Sequence, residues 1–239
     1  MTETARGENI LMIAARAPIP GQTKTRLGKA LGMERAAELY RAFLRDLADR
    51  FEGAVNEHPG AFDLAWTYSP PEHDFRPDLE RLTGRVSPSA VRFVAQNGPD
   101  WGTRQTNLLR WGRDQGYART VLMASDSPHL PVSTALDAFV LLDAHDVVIG
   151  RVRDGGYYLI GMRGFHDILA NVAMSTASAA EGVVLAAGRM GLSVGELEDT
   201  FDIDEEADLD ALTDLLDDRP GLCPATRAAL ARLGRMPAS

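Results

Sequence analysis

Ile10-Leu11-Met12-Ile13-Ala14-Ala15-Arg16-Ala17-Pro18-Ile19-Pro20-Gly21-Gln22-Thr23-Lys24-Thr25-Arg26 joins an apolar run to a loop with three cations, two prolines and a glycine. The run Ile10–Ala15 lacks polar alternation, so it reads as a strand covered on both faces. Such strands belong to parallel α/β sheets, where ligands bind beyond the carboxyl ends of the strands. A cationic loop at that position points to a phosphate-bearing ligand. Of the 25 Lys and Arg residues in the chain, only Lys24 and Lys29 are lysines. A lysine at the centre of this loop therefore marks a need for a compact point charge in place of a planar guanidinium.

Outward from that stretch, apolar runs alternate with helical patterns. Met33–Phe51 reads as a helix, with Ala37, Tyr40, Phe43, Leu44 and Leu47 at three- and four-residue spacing. Strands are expected at Phe62–Tyr68, Val91–Ala95, Thr120–Ala124, Asp146–Val152, Tyr157–Met162 and Leu192–Leu197. Helices are expected at Gly102–Gln115, Ser133–Ala144, Ser178–Met190, Glu205–Leu216 and Arg227–Leu233. Pro70–Ser89, rich in Pro, Ser and charge, reads as an irregular connection. Strands separated by helices imply βαβ units and a mixed, mostly parallel sheet. No linker divides the 239 residues, so one α/β domain is expected, with its core at about 9–217.

The net charge of −9 excludes a general nucleic-acid binder, which would carry a basic footprint. Twelve acids and no Lys or Arg lie between 196 and 218, which leaves +3 on the remainder and a surface able to attract an anion. Cys223 is the only cysteine, so no intramolecular disulfide or cysteine-cluster zinc site forms, in keeping with a cytoplasmic protein. No apolar run approaches the roughly 20 residues of a membrane span, and the polar start Met1–Glu8 is not a secretory signal.

Lys24-Thr25 is not a Walker A loop: Thr23 stands where glycine is required, and Pro18 and Pro20 remove two backbone donors. A dinucleotide fingerprint is absent as well. Ser125-Asp126-Ser127-Pro128 follows the strand Thr120–Ala124. Asp126 is thus either a magnesium ligand at a strand end or the start of an Asx turn. In Asp202-Ile203-Asp204 the carboxylates share one side of an extended segment, which a cation between them would relieve. Asp204 alternatively caps the helix expected from Glu205. Arg153-Asp154-Gly155-Gly156-Tyr157 reads as a hairpin turn whose glycines allow a close backbone approach. Arg151 and Arg153 add cations on alternate positions of the strand entering the turn. The five histidines are isolated and form no metal or nucleophile motif.

In this order the motifs resemble a bacterial family usually labelled glycosyltransferases, of the glycosyltransferase-A-like (nucleotide-diphospho-sugar transferase) fold. The likeness runs from about Ile10 to Leu212 through Ala17–Leu27, Ser125–Pro131, Asp154–Gly161 and Asp202–Leu209. The Lys24-Thr25-Arg26-Leu27 segment and the Asp-x-Asp are also similar to those of 2-phospholactate guanylyltransferases. The resemblance implies Mg²⁺ or Mn²⁺ held by Asp126, Asp202 and Asp204. It implies catalytic roles for Lys24, Arg26 and Asp126. It also implies substrate contacts by Arg16, Gly21, Thr25, Arg104, Ser125, Arg153, Asp154, Gly155, Gly156 and Tyr157. The chain departs from the family at Thr103, Arg151, Arg153 and Met174, and the two arginines suit an anionic acceptor. The expected function is metal-dependent transfer from a nucleotide, with nucleotidyl transfer from a triphosphate to a small anionic acceptor ranked first. Glycosyl transfer from a nucleotide-diphospho-sugar ranks second, and a non-catalytic nucleotide-binding regulator third.

Overall fold

The apolar run at Ile10–Ala15 lies in the middle of the sheet, with every residue from Ile10 to Ala15 buried. The structure is a computed structural model that describes residues 7–237. In chain order the elements are β1 (Asn9–Arg16), α1 (Thr25–Leu31), α2 (Met33–Glu57), β2 (Asp63–Ser69), α3 (Phe75–Thr83), β3 (Arg92–Ala95), α4 (Trp101–Asp114) and β4 (Arg119–Ala124). They continue with α5 (Val132–Ala144), β5 (Val147–Arg151), β6 (Tyr157–Arg163), α6 (Ala179–Arg189), β7 (Val194–Glu196), α7 (Asp208–Asp218) and α8 (Pro224–Arg232).

The seven strands form one sheet in the order β3-β2-β1-β4-β6-β5-β7. β1 pairs in parallel with β2 and β4, β2 with β3, and β5 with β7, while β6 runs antiparallel to both neighbours. The strand period of two divides β1 between two cores. Leu11, Ile13 and Ala15 face α2, α5, α7 and α8, whereas Ile10, Met12 and Ala14 face α4 and α6. Both sheet faces are covered, which is why the strands read as continuous apolar runs. No described helix is long and apolar enough to cross a membrane.

Two helices depart from the sequence reading. α3 lies inside the stretch 70–89 expected to be irregular. Its Phe75 and Leu79, one turn apart, are buried, and Phe75 packs on Trp66 and Tyr68 of β2. Pro77 falls in the first turn, where a missing N–H costs nothing. α1 begins directly after Lys24, shortening the cationic loop.

Candidate active site

The cleft lies beyond the carboxyl ends of β1 and β4, with a volume of about 370 Å³. β1 ends at Arg16, and the chain turns through Gly21 (φ +77°) to Lys24, whose own φ of +47° is left-handed. An L-residue rarely adopts that conformation without a surrounding structure that enforces it. The Lys24 carbonyl accepts the Gly28 N–H at 2.8 Å as α1 begins, and the side chain is anchored as well. The Lys24 Nζ donates to Asp126 Oδ1 at 2.5 Å, Asp204 Oδ1 at 2.8 Å and the Ile203 carbonyl at 2.7 Å. All three ammonium protons are used, and the side chain is only 5% exposed. Burial alone would lower the lysine pKa, but the Asp126 and Asp204 carboxylates hold it well above its ordinary value. Asp204 is held below the usual carboxylate range, because Lys24 and Arg26 outweigh the cost of its burial.

A strap after β7 brings the C-terminal carboxylates to β4. Thr200 N–H donates to the Arg151 carbonyl at 3.0 Å, and Ile203 N–H to the Asp126 carbonyl at 3.0 Å. Ser127 Oγ donates to the Phe201 carbonyl at 2.8 Å. His129 stacks on Phe201 with ring centroids 4.4 Å apart, and its Nε2 meets Thr200 Oγ1 at 2.9 Å. Asp202 therefore sits on the strap among acids. Its burial, with Asp204, Asp154 and Asp126 nearby, pushes its carboxyl up to about 6.

Asp204 does not cap a helix. α7 begins at Asp208, and the Asp208 carboxylate accepts the N–H groups of Asp204 (2.9 Å) and Glu205 (2.7 Å). The Asp204 carboxylate is thereby left for Lys24. Arg26, half-exposed at the mouth, reaches Asp204 at only 3.5 Å.

Of the residues implied by the motifs, Arg16, Lys24, Thr25, Arg26, Arg104, Ser125, Asp126 and Asp204 line this cleft. Arg104 presents a buried Nε with no hydrogen-bond partner, and no described residue pairs with the Arg16 guanidinium. The glycine motif has a different setting. Asp154 Oδ1 accepts the Gly156 N–H at 2.9 Å, and the Gly155 carbonyl accepts the Ala180 N–H at 3.1 Å. Gly155 (φ +90°) abuts the Ala177 carbonyl so closely that an added Cβ would lie 1.9 Å from it. The close approach is thus between two segments of the chain. The Tyr157 hydroxyl is held by Gln105, at 2.9 Å, and the Met174 sulfur. Arg153 lies over the Phe201 ring at 5.3 Å and lines a separate groove with Asp137 and Asp199. Arg151 pairs with Glu196 at 2.9 Å and Glu181 at 3.6 Å.

Tyr40, Gln96, Trp101 and Ser175 also line the cleft and were not foreseen. The Tyr40 and Ser125 hydroxyls lie 2.7 Å apart, and Tyr40 Oη accepts the Arg16 N–H at 3.0 Å. Burial pushes the Tyr40 hydroxyl up to about 12. Gln96, directly after β3, donates to the Ala15 and Thr67 carbonyls and ties three strand ends together. Its place after an apolar run was the signal that could have found it. Ser175 has φ +58°. It and Lys24 are the two described non-glycine residues with positive φ, and both line the cleft.

Among the described residues no three acidic, histidine or cysteine side chains are gathered closely enough to hold a metal ion. The chemistry of the donors nonetheless fits a hard cation. Asp126 Oδ1, Asp204 Oδ1 and the Ile203 carbonyl already surround one positive charge, the Lys24 ammonium. Oxygen sets of this type suit Mg²⁺.

The family model for an "uncharacterized protein conserved in bacteria (DUF2064)" matches residues 63–176. A crystal structure of a "putative nucleotide-diphospho-sugar transferase" from Desulfovibrio desulfuricans G20 is 30% identical, with a TM-score of 0.82 over 96% of this chain and 98% of that one. More distant structures share the fold alone. A 4-diphosphocytidyl-2C-methyl-D-erythritol synthase from Anaerococcus prevotii is 10% identical, with a TM-score of 0.55 over 88% and 97% of the two chains. A nucleotidyl transferase from Methanothermobacter thermautotrophicus is 16% identical, with a TM-score of 0.54 over 87% and 98%. No curated protein matches the chain. With its cleft at the ends of β1 and β4 and its likeness to the Desulfovibrio protein over nearly the whole length of both, the chain belongs to this bacterial family with the nucleotide-diphospho-sugar-transferase fold.

Proposed function

We propose that the protein is a divalent-cation-dependent nucleotidyltransferase that moves a nucleotidyl group from a triphosphate to a small anionic acceptor. The observation that carries this reading is the composition of the cleft. Arg16, Lys24, Arg26 and Arg104 line it, facing Asp126 and Asp204, with Asp202 close by on the strap. Four cations in a cleft of this size suit a polyphosphate, and the carboxylates suit its accompanying metal. Asp126 and Asp204, with the Ile203 carbonyl, would hold Mg²⁺, which when bound supplies charge neutralisation to the leaving pyrophosphate, and Asp202 lies beside them on the strap. Arg26, open to solvent at the mouth, neutralises phosphate oxygens as they enter. Arg104 has an unused buried donor for a phosphate or carboxylate oxygen. Tyr40 and Ser125 hold the floor between β1 and β4, so that the phosphates meet a fixed surface.

A second reading, glycosyl transfer from a nucleotide-diphospho-sugar, is favoured by the description of the Desulfovibrio relative. A thermal-shift panel with Mg²⁺ separates the two. A ligand at 100 times its Kd stabilises the native state by about 2.7 kcal/mol. In a domain of this size that is a rise of roughly 5–10 °C. The expected result is a magnesium-dependent shift with one nucleoside triphosphate, lost in Asp126→Asn. A shift with a nucleotide-sugar alone selects glycosyl transfer, and no shift with any nucleotide overturns both readings.

A further inference from the structure

We infer that Lys24 and the divalent cation compete for the same oxygens, so that cation binding turns the lysine out of its buried site and into the cleft. This inference rests on the cation site of the proposed function, and it concerns what the lysine does when that site fills. The Lys24 ammonium makes three hydrogen bonds, to Asp126 Oδ1, Asp204 Oδ1 and the Ile203 carbonyl. An ammonium has three protons to give. Lys24 in this state therefore has none left for a phosphate, although its loop borders the cleft where phosphates would lie.

The two cations exclude each other on geometric grounds. Mg²⁺ takes carboxylate oxygens at about 2.0–2.1 Å. An ion that close to Asp126 Oδ1 lies no more than about 4.6 Å from the Nζ, which itself stands 2.5 and 2.8 Å from Asp126 Oδ1 and Asp204 Oδ1. Like charges at such a distance repel strongly in a half-buried site. Lys24 has φ +47°, a conformation uncommon for an L-residue, and its side chain ends on three acceptors. Once they are taken, the side chain leaves with its charge, and the neighbouring space is the cleft bounded by Thr23, Thr25 and Arg26. A metal–triphosphate complex brings more negative than positive charge, and the displaced ammonium supplies part of the balance. Cation and nucleotide binding are then coupled through one lysine, and the coupling is reciprocal.

Two measurements test this. The first is Mn²⁺ binding without nucleotide, read by electron paramagnetic resonance of the free ion. Lys24→Met removes the competitor and keeps the length of the side chain. The expected result is a Mn²⁺ Kd lower than wild type by about tenfold, within the usual range of coupling, and binding lost in Asp126→Asn. An unchanged or higher Kd in folded Lys24→Met overturns the inference. The second uses the unaltered protein and needs no variant to fold. Lys24 and Lys29 are the only lysines, so a ¹⁵N-lysine-labelled chain gives at most two ammonium resonances. The Lys24 signal is expected to be protected from solvent exchange without metal and to lose that protection as Mg²⁺ saturates. Protection that persists at saturating Mg²⁺ overturns the inference. Neither measurement contains nucleotide. Failure of every triphosphate to bind would thus sink the proposed function and leave the competition standing.

Discussion

Gly155→Ala is the substitution whose cost the structure determines most directly, and Gly21→Ala is its internal standard. Both glycines have positive φ, +90° and +77°, so alanine at either position carries a backbone penalty of about 1–2 kcal/mol. Alanine also restricts the unfolded chain, which returns about 0.4–1 kcal/mol. The two sites differ in what the new methyl meets. At Gly21 nothing lies within 4 Å, whereas at Gly155 the Ala177 carbonyl oxygen and carbon lie 1.9 and 2.5 Å away. That neighbour is backbone, anchored by the Ala180 N–H bond to the Gly155 carbonyl. It has no flexible end to move aside. Overpacking of this type adds about 1–3 kcal/mol. The expected losses are therefore about 1 kcal/mol for Gly21→Ala and about 2–4 kcal/mol for Gly155→Ala. Urea unfolding followed by circular dichroism measures both, and the Gly155 variant should melt roughly 4–16 °C below wild type. Ser175, two residues from Ala177, lines the cleft, so Gly155→Ala should also weaken ligand binding there. Equal losses for the two variants would refute the reasoning, because only the clash distinguishes them.

Asp202→Asn should stabilise the unliganded protein. The folded-state carboxyl titrates near 6, above its usual 3.8, so its ionisation costs stability above pH 6 and not below pH 4. The variant should exceed wild type by about 1–2 kcal/mol at pH 8, with the gap closing towards pH 4. Equal urea midpoints at pH 8 would show that the neighbouring acids do not strain it. His129 has the opposite sign. Burial first, and then Arg50, holds its pKa down to about 4 from 6.5, so the folded state resists protonation and stability falls as pH drops through that window. Between pH 7 and 4.5 wild type should lose about 2 kcal/mol more than His129→Gln, and parallel pH profiles would contradict this. Arg104→Ala removes a guanidinium whose Nε has no partner. Its melting temperature should stay within about 2 °C of wild type, while the Kd of the bound nucleotide rises roughly tenfold or more. Unchanged affinity by calorimetry would place Arg104 outside the binding surface.

The parts of the site that could be read from the sequence are those where function follows a strand end. The run Ile10–Ala15 and the run before Ser125-Asp126 identified two neighbouring strands, and the polar residues that follow them line one cleft. The alternation of strands and helices likewise foretold a mostly parallel sheet with one hairpin, which β5 and β6 form. What escaped depends on distant contacts. Tyr40 has the spacing of a core helix residue, and only the fold brings its hydroxyl to Ser125, 85 positions away. Asp204 read equally well as a helix cap, because local pattern carries no record of Lys24, 180 positions earlier. α3 was hidden by a proline and a high density of charge, although its apolar pair Phe75 and Leu79 faces β2. Arg153 shares a motif with Gly155, but a turn divides their directions, and its guanidinium lies on Phe201.

The strap that carries Asp202 and Asp204 also sets a clock. Proteins emerge from the ribosome at about 5–20 residues per second. The 180 positions between Lys24 and Asp204 therefore amount to roughly 10–40 s of synthesis. Within that interval β2 and then β4 become available to pair with β1, but the lysine has no strap to close on. Asp126 has a shorter wait, since its carbonyl is met by Ile203, which follows it by fewer than half as many positions. The side of the cleft that Asp204 lines is consequently made after every strand of the sheet. A chain halted just before Ile203 would contain all seven strands and still lack the Ile203 and Asp204 partners that close on Lys24.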